Sequence, residues 1–151
     1  MYKRQAYRNA TLANVVGEVL EIKPIKFKES ELERSITKEY AGKKAHFRLT
    51  KNPASWTEAL SAEHKSEVIL VLNSRQVDGI DTSWLWDVSF KSLKGKKVIV
   101  CGERGMDMAY RLHVEGIENT LVNNFDEAIA LVKKKEVSVL AAYTAFFELV
   151  M

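Results

Sequence analysis

The sequence predicts an α/β domain with a mostly parallel sheet and helices on both of its faces. Two short apolar runs without alternation, Val68-Ile-Leu-Val-Leu72 and Val98-Ile-Val-Cys101, read as strands covered on both sides. Segments with apolar residues at helical spacing alternate with such runs, and the connections between them are short. Right-handed crossovers then set successive strands parallel and distribute the helices over both faces. With 151 residues, 46% of them hydrophobic and 28% charged, the chain has the size and composition of one globular domain with a single core.

The elements follow in order. Met1 to Gln5 carry no pattern and resemble a translated assembly scar, so the fold is expected over residues 6–151, with the natural protein extending upstream. Residues 11–22 are apolar without one clear period and are read as a strand; residues 23–44 form a charged excursion. Ala41-Gly-Lys-Lys44 suits a hairpin turn before a return strand, Ala45–Leu49. Lys51-Asn-Pro-Ala54 then leads into Ser55-Trp-Thr-Glu58, spaced as a capping box, and Trp56, Ala59 and Leu60 mark a helix to about Glu63. After the second apolar run, a helix is expected from Arg104 to Val114. Its inner face would carry Met106, Ala109, Tyr110 and a half-buried His113, with Asp107 and Arg111 as an i,i+4 pair and Gly116 at the C-cap. Thr120–Val122 and Val137–Leu140 read as further strands. Between them, Asn124 and Glu127 have capping-box spacing, before a stripe of Phe125, Ala128, Ile129 and Val132. The last segment, Ala142–Val150, is apolar on nearly every side and predicts a sandwiched helix.

Composition narrows the function. A net charge of +3, from 23 basic and 20 acidic residues, is too balanced to argue for nucleic acid or a membrane surface. The lone Cys101 excludes an internal disulfide and a cysteine-cluster zinc site, and no apolar run approaches the roughly 20 residues of a membrane span. The expected location is the cytoplasm. Neither a phosphate loop nor a nucleophile elbow is present. Val100-Cys-Gly-Glu-Arg-Gly105 superficially resembles a dinucleotide loop but lacks its glycine spacing and an acid for the ribose. Cys101 reads as a packing residue, and His46, His64 and His113 fall on separate elements without metal-ligand spacing.

The densest chemistry lies in Asn73-Ser-Arg-Gln-Val-Asp-Gly-Ile-Asp-Thr-Ser-Trp-Leu-Trp-Asp-Val88, directly after a strand. Loops at the carboxyl ends of strands are where α/β proteins place their sites. Asp78, Asp81 and Asp87 could hold a hard cation or orient a histidine as the third member of a triad, and Asp81 could equally cap a short helix. Trp84 and Trp86 fit either a core or an interface anchor. Lys51 and Asn52, at another strand end, could meet an anion at a helix N-terminus or form a plain helix-entry turn.

The run Val77-Asp-Gly-Ile-Asp-Thr-Ser-Trp-Leu-Trp-Asp-Val88 with Phe90 resembles the signature of the MurT C-terminal domain family. Lys51-Asn-Pro-Ala54, Gly102-Glu-Arg-Gly-Met-Asp-Met-Ala-Tyr-Arg-Leu112 and Leu140-Ala-Ala-Tyr-Thr-Ala145 agree with it in order. The likeness covers about residues 42–148, and Gly17-Glu18 resembles a degraded Gly-Arg-x-Glu of that family. Residues 23–40 and Ala141-Ala142, where the family usually has Pro-Thr, depart from it. The resemblance implies a Rossmann-like domain of the Mur ligase C-terminal type, the third domain of an ATP-dependent ligase. That family activates D-glutamate of the lipid II stem peptide as an acyl phosphate, for amidation to D-isoglutamine in peptidoglycan synthesis. A GatD-type glutamine amidotransferase subunit supplies ammonia through a Cys/His pair. The resemblance further implies a catalytic aspartate among Asp81, Asp78 and Asp87, with the first two ranked ahead. Lys51, Asn52, Ser83 and Arg104 would face substrate or ATP, and Trp84 and Trp86 the partner. ATP, Mg2+ and a zinc ribbon belong to the central domain, no metal is expected in this chain, and the isolated chain is expected to be inactive. A different reading is a non-catalytic docking module anchored by the Trp84/Trp86 loop.

Overall fold

The computed structural model describes residues 2–22, 35–62, 64–77 and 79–151. Residues 23–34 of the charged excursion expected at 23–44, and the candidate Asp78, lie outside the described residues. The chain divides into two compact units, Met1–Glu33 and Arg34–Met151.

In the first unit, Tyr2–Val19 forms helix α1, where a strand was expected for residues 11–22. Leu12, Val15, Val16 and Val19 recur at the three-and-four spacing of a helix, and this local period prevails over the β-propensity of the valines. The helix closes with paired bonds from Ile22 N–H to the Gly17 carbonyl (2.8 Å) and from Glu21 N–H to the Glu18 carbonyl (3.2 Å). Glu21 takes the left-handed φ of 53° that this closure requires.

The second unit is a six-stranded sheet: β1 (Ser35–Tyr40), β2 (Lys43–Leu49), β3 (Glu67–Val71), β4 (Lys97–Cys101), β5 (Asn119–Leu121) and β6 (Glu136–Ala141). The spatial order is β1-β2-β6-β3-β4-β5; β1 is antiparallel to β2 and every other pairing is parallel. The doubly covered α/β fold expected from the apolar runs is therefore present. Strand β1 was absent from the expectation because only alternate residues are half-buried and its outward positions are polar. Ala41 and Gly42, with φ of 47° and 70°, make the two-residue β1–β2 turn.

Helices α2 (Pro53–Ser61) and α3 (Gly105–Val114) cover one face, and α4 (Phe125–Leu131) and α5 (Tyr143–Val150) the other. Strand residues alternate between two cores. Val68, Leu70 and Leu72 join Trp56, Phe90 and Leu112, whereas Ile69 and Val71 join Phe47, Phe125 and Phe146. Complete burial of a large side chain such as Trp56 or Phe90 contributes on the order of 2–3 kcal/mol.

Several local expectations change. Asn52, not Ser55, caps α2: its side chain accepts from Ser55 N–H, while Ser55 Oγ accepts from Asn52 N–H. Pro53, suited to the first helical position, fixes that register. On α3 the buried side is Met108, Arg111 and Leu112, whereas Met106, Tyr110 and His113 are exposed. Asp107 pairs with Arg104 and Arg111 with Glu115, so the expected Asp107–Arg111 pair does not form. Gly116, at φ 71°, closes α3 as expected, with Ile117 N–H on the Leu112 carbonyl at 3.0 Å. Asn124 caps α4, and the α4 stripe is buried as expected. Helix α5 buries one side, Ala145, Phe146 and Val150, and leaves Glu148 exposed, so it lies on the sheet rather than between layers.

Candidate functional site

Because β6 sits between β2 and β3, three strand ends converge at the carboxyl edge. A narrow cleft there is lined by Thr50 and Lys51 after β2, Asn73 and Ser74 after β3, and Tyr143 after β6; Gly79, Thr82 and Trp84 wall its outer side. Thr50 is fully buried and donates from both its N–H (2.8 Å) and its hydroxyl (3.0 Å) to the Ala141 carbonyl, which ties β2 to β6 at this edge.

The loop after β3 is held from its base. Asn73 Oδ1 accepts from Glu103 N–H at 3.1 Å, and Arg104 N–H donates to the Leu72 carbonyl at 2.9 Å. This approach needs Gly102: at its φ of 103°, a Cβ would lie 2.5 Å from the Leu72 oxygen. The glycine that superficially suggested a dinucleotide loop thus serves contact between strand ends. Arg75 bridges Glu103, at 2.6 and 2.9 Å, and Glu148 on α5. Glu103 first and Glu148 second hold its guanidinium firmly charged. Further out, the Ser74 hydroxyl is shared between the carbonyls of Gly79 (2.6 Å) and Ile80 (2.9 Å).

The distal half, a 3-10 turn over Ser83–Asp87, is clamped to α3. Arg111 is nearly buried and donates to the carbonyls of Leu85 (3.1 Å) and Val88 (2.7 Å). It pairs with Glu115 at 2.9 Å, and its guanidinium lies 5.2 Å from the Trp86 ring centre and 5.6 Å from that of Phe90. Glu115 in turn accepts from Phe90 N–H and Ser89 Oγ. Burial pushes the Glu115 carboxyl up, but those donors and the Arg111 charge outweigh it and hold it below the usual range. At the turn's entrance, Thr82 donates to Asp107 (2.9 Å), which also takes Arg104 Nε at 2.6 Å.

Asp81 is exposed on this rigid support. Its Oδ1 accepts from Ser83 N–H at 2.8 Å and its Oδ2 from Ser83 Oγ at 2.7 Å. The Ser83 N–H first, the hydroxyl next and the nearby Arg104 charge lower its pKa. Such a carboxylate is a weak base at neutral pH, suited to orienting and charge-stabilising an imidazole rather than taking a proton. Among the described residues, no histidine or cysteine hydrogen-bonds to it. Asp87 is exposed at the far end of the turn, and Trp84 and Trp86 diverge. The Trp84 ring sits 6.2 Å from that of Trp56 against the core, whereas Trp86 is 54% exposed and edges onto Tyr110 at 6.3 Å. Ser83 and Arg104 thus gather around Asp81, while Lys51 lines the cleft and Asn52 is engaged as the cap of α2.

Sequence reading missed Arg75, Glu115 and Glu148 and gave Arg111 the wrong partner, Asp107. The only local signal was the i,i+4 spacing of Arg111 and Glu115. Cys101 is buried, and burial first, with Glu127 beyond, pushes its thiol up to about 12, so it packs rather than reacts. The exposed Lys51 is the charged side chain lining the cleft, and no three His, Cys, Asp or Glu side chains converge on a metal position among the described residues. No helix among the described residues is long and apolar enough to cross a membrane.

The chain is similar in sequence and fold to known proteins. A family profile described as MurT ligase C-terminal matches residues 49–146. The chain is 31% identical over 113 residues to a Streptococcus pneumoniae protein named lipid II isoglutaminyl synthase (glutamine-hydrolyzing) subunit MurT, covering 66% of this chain and 25% of that protein. A protein of the same name from Staphylococcus aureus strain COL is 32% identical over 87 residues, covering 53% and 20%. The chain thus spans about a quarter or less of the length of these relatives. Among solved structures, the UDP-N-acetylmuramate-alanine ligase MurC of Thermotoga maritima superposes with a TM-score of 0.51 at 15% identity, over 91% of this chain and 34% of that one. That likeness establishes the Rossmann-like Mur ligase fold. Matched over residues 49–146 by the family profile, and over 66% of its length by a relative at 31% identity, the chain belongs to the MurT ligase C-terminal family.

Proposed function

We propose that the chain acts as the C-terminal domain of a lipid II isoglutaminyl synthase in the cytoplasm. In this reading, domains outside these residues bind ATP, Mg2+ and zinc and activate D-glutamate of the lipid II stem peptide. A GatD-type glutaminase releases ammonia, and Asp81 provides the acidic member beside the partner's Cys/His pair. The observation that carries the reading is Asp81 itself. It is an exposed carboxylate held ionised on a clamped turn, with no histidine of the described residues bonded to it. An acid presented outward in this way fits a site completed by another subunit.

The chemistry assigned to this chain is limited. Ser83 fixes the Asp81 carboxylate and keeps it charged, and the Arg111–Glu115 clamp holds the turn against α3. The carboxylate then accepts a ring N–H of the partner's histidine and stabilises the imidazolium formed as the cysteine loses its proton. ATP supplies the phosphoryl group for carboxylate activation in the other domains, and no step through it is assigned here.

The test is to incubate the purified chain with ATP, glutamine and lipid II, with and without a GatD-type subunit and the upstream domains. The expected outcome is no turnover by the chain alone or with the glutaminase, and amidation only in the complete complex. Turnover by the chain alone would overturn the reading. The exposure of Trp86 beside Tyr110 favours a second role as an anchor for the partner. Trp86→Ala should then weaken partner binding by about 2 kcal/mol without unfolding the domain.

A further inference from the structure

Away from the carboxyl edge, His46, Arg48, Ser138 and Leu140 lie on the same sheet face as Leu70. A cavity of about 270 Å³ lies there, lined by Ser35, Thr37, His46, Arg48, His64 and Ser138 among others, and it shares no lining residue with the cleft described above.

Both imidazoles are anchored on one side and unsatisfied on the other. His46 Nδ1 lies 3.0 Å from Thr37 Oγ1, and the His64 ring is bonded to the Ala59 backbone. Their Nε2 atoms are buried without a hydrogen-bond partner. Unpartnered polar atoms in a cavity of this size point to a polar ligand. Ser138 Oγ accepts from Lys65 N–H at 3.0 Å, which leaves its own proton to donate.

The surrounding charge decides the ligand's sign. Arg48 forms no ion pair among the described residues. Lys96 approaches through the His64 and Lys65 carbonyls, at 3.1 and 3.3 Å. Glu136 lies 3.6 Å from His46 Nε2 but is neutralised by Lys65 at 2.6 Å. Glu39 and Lys44 face each other across β1 and β2 at the hairpin end. Burial first, then the Lys96 charge and more weakly that of Arg48, favour the neutral form of His64 against its bond to the Ala59 backbone. A metal cation is disfavoured by these positive charges, and no three-ligand cluster exists among the described residues.

We propose that this cavity binds a phosphate-class oxyanion, free or as the head of a small phosphomonoester, with Arg48 as the principal charge, His46 and Ser138 as hydrogen-bond donors, and His64 as a further donor once the bound anion has drawn a proton onto its Nε2. A guanidinium with several converging donors serves a tetrahedral oxyanion better than a two-oxygen carboxylate. The cavity volume exceeds a bare phosphate and leaves room for a short ester.

The test follows the histidine ring signals of the chain by NMR at constant ionic strength, with inorganic phosphate, glycerol 3-phosphate and glycerol as probes. Either phosphate compound should shift the His46 and His64 signals saturably at millimolar concentration and raise the titration midpoint of His64, because a bound anion favours imidazolium. Glycerol should do nothing, and the exposed His113 should not respond. Saturation by glycerol 3-phosphate at lower concentration than phosphate would assign the site to an ester, and the reverse to the free ion. Arg48→Met should weaken binding at least about tenfold. Should that variant fail to fold, His64→Gln should abolish the saturable shift of His46. No saturable shift by about 50 mM phosphate, an equal response of His113, or unchanged binding by a folded Arg48→Met would overturn the proposal.

Discussion

Replacing Arg111 by alanine removes the clamp that ties the Ser83–Asp87 turn to α3. The residue is buried and its guanidinium donates to two loop carbonyls, at 2.7 and 3.1 Å. Its pairing with Glu115, at 2.9 Å, joins side chains that are 11% and 9% exposed, so solvent screens it little. Breaking a buried pair from one side costs roughly 3–5 kcal/mol. Glu115 keeps the Phe90 N–H and Ser89 hydroxyl as partners, which places the loss near the lower end, at about 3 kcal/mol. With a urea slope of about 1.5 kcal/mol per molar, the unfolding midpoint should fall by about 2 M. Trp84 and Trp86 flank the broken contacts, so tryptophan fluorescence should report the same transition as circular dichroism. Lysine at this position keeps a charge but not the fork to both carbonyls, and should recover only part of the loss. A loss under about 1 kcal/mol for Arg111→Ala would refute the clamp.

Gly102→Ala should destabilise by about 3 kcal/mol, read by thermal unfolding, because a Cβ at φ 103° would sit 2.5 Å from the Leu72 oxygen. Asn52→Ala should cost about 1 kcal/mol by loss of the α2 cap, with no change in the sheet's circular dichroism. Glu67 is a pH lever: burial raises its pKa, but the Lys134 N–H, the Lys97 ammonium and the Lys133 N–H outweigh this and hold it below 4.5. A carboxyl depressed in the folded state stabilises above its unfolded pKa and loses that contribution as pH falls through the folded value. Stability measured from pH 6 downward should therefore fall below about pH 4.5, and Glu67→Gln should flatten that slope.

The central strands were legible because burial on both faces demands unbroken apolar runs, which few other elements produce. Strand β1 was not, since an edge strand with one polar side looks like a charged loop when its partner is unknown. Helix α1 was hidden by its valines, although Leu12, Val15, Val16 and Val19 carry the period. Short-range pairings misled where two partners compete. Arg104 captures Asp107 at 2.5 Å, and Arg111 is drawn instead to Glu115 and the loop carbonyls. In the candidate site, Asp81 was recognisable as an acid that also forms a local turn, and both aspects hold. The Arg75 bridge was not, because its partners lie 28 and 73 residues away. Nothing local in the sequence distinguishes Trp84, which lies against Trp56, from Trp86, which faces solvent.

The most direct measurement is the rate of glutamine-dependent lipid II amidation by the complete complex carrying Asp81→Asn, with partner affinity determined on the same preparation. Removing the charge that orients a histidine in a triad costs orders of magnitude in rate, so a drop of at least about 100-fold is expected. Partner affinity and the unfolding midpoint should stay unchanged, because Asp81 is exposed and, among the described residues, its hydrogen bonds run to Ser83. Amidation within about twofold of the unsubstituted complex, at equal partner affinity, would contradict the role of Asp81 in a composite site.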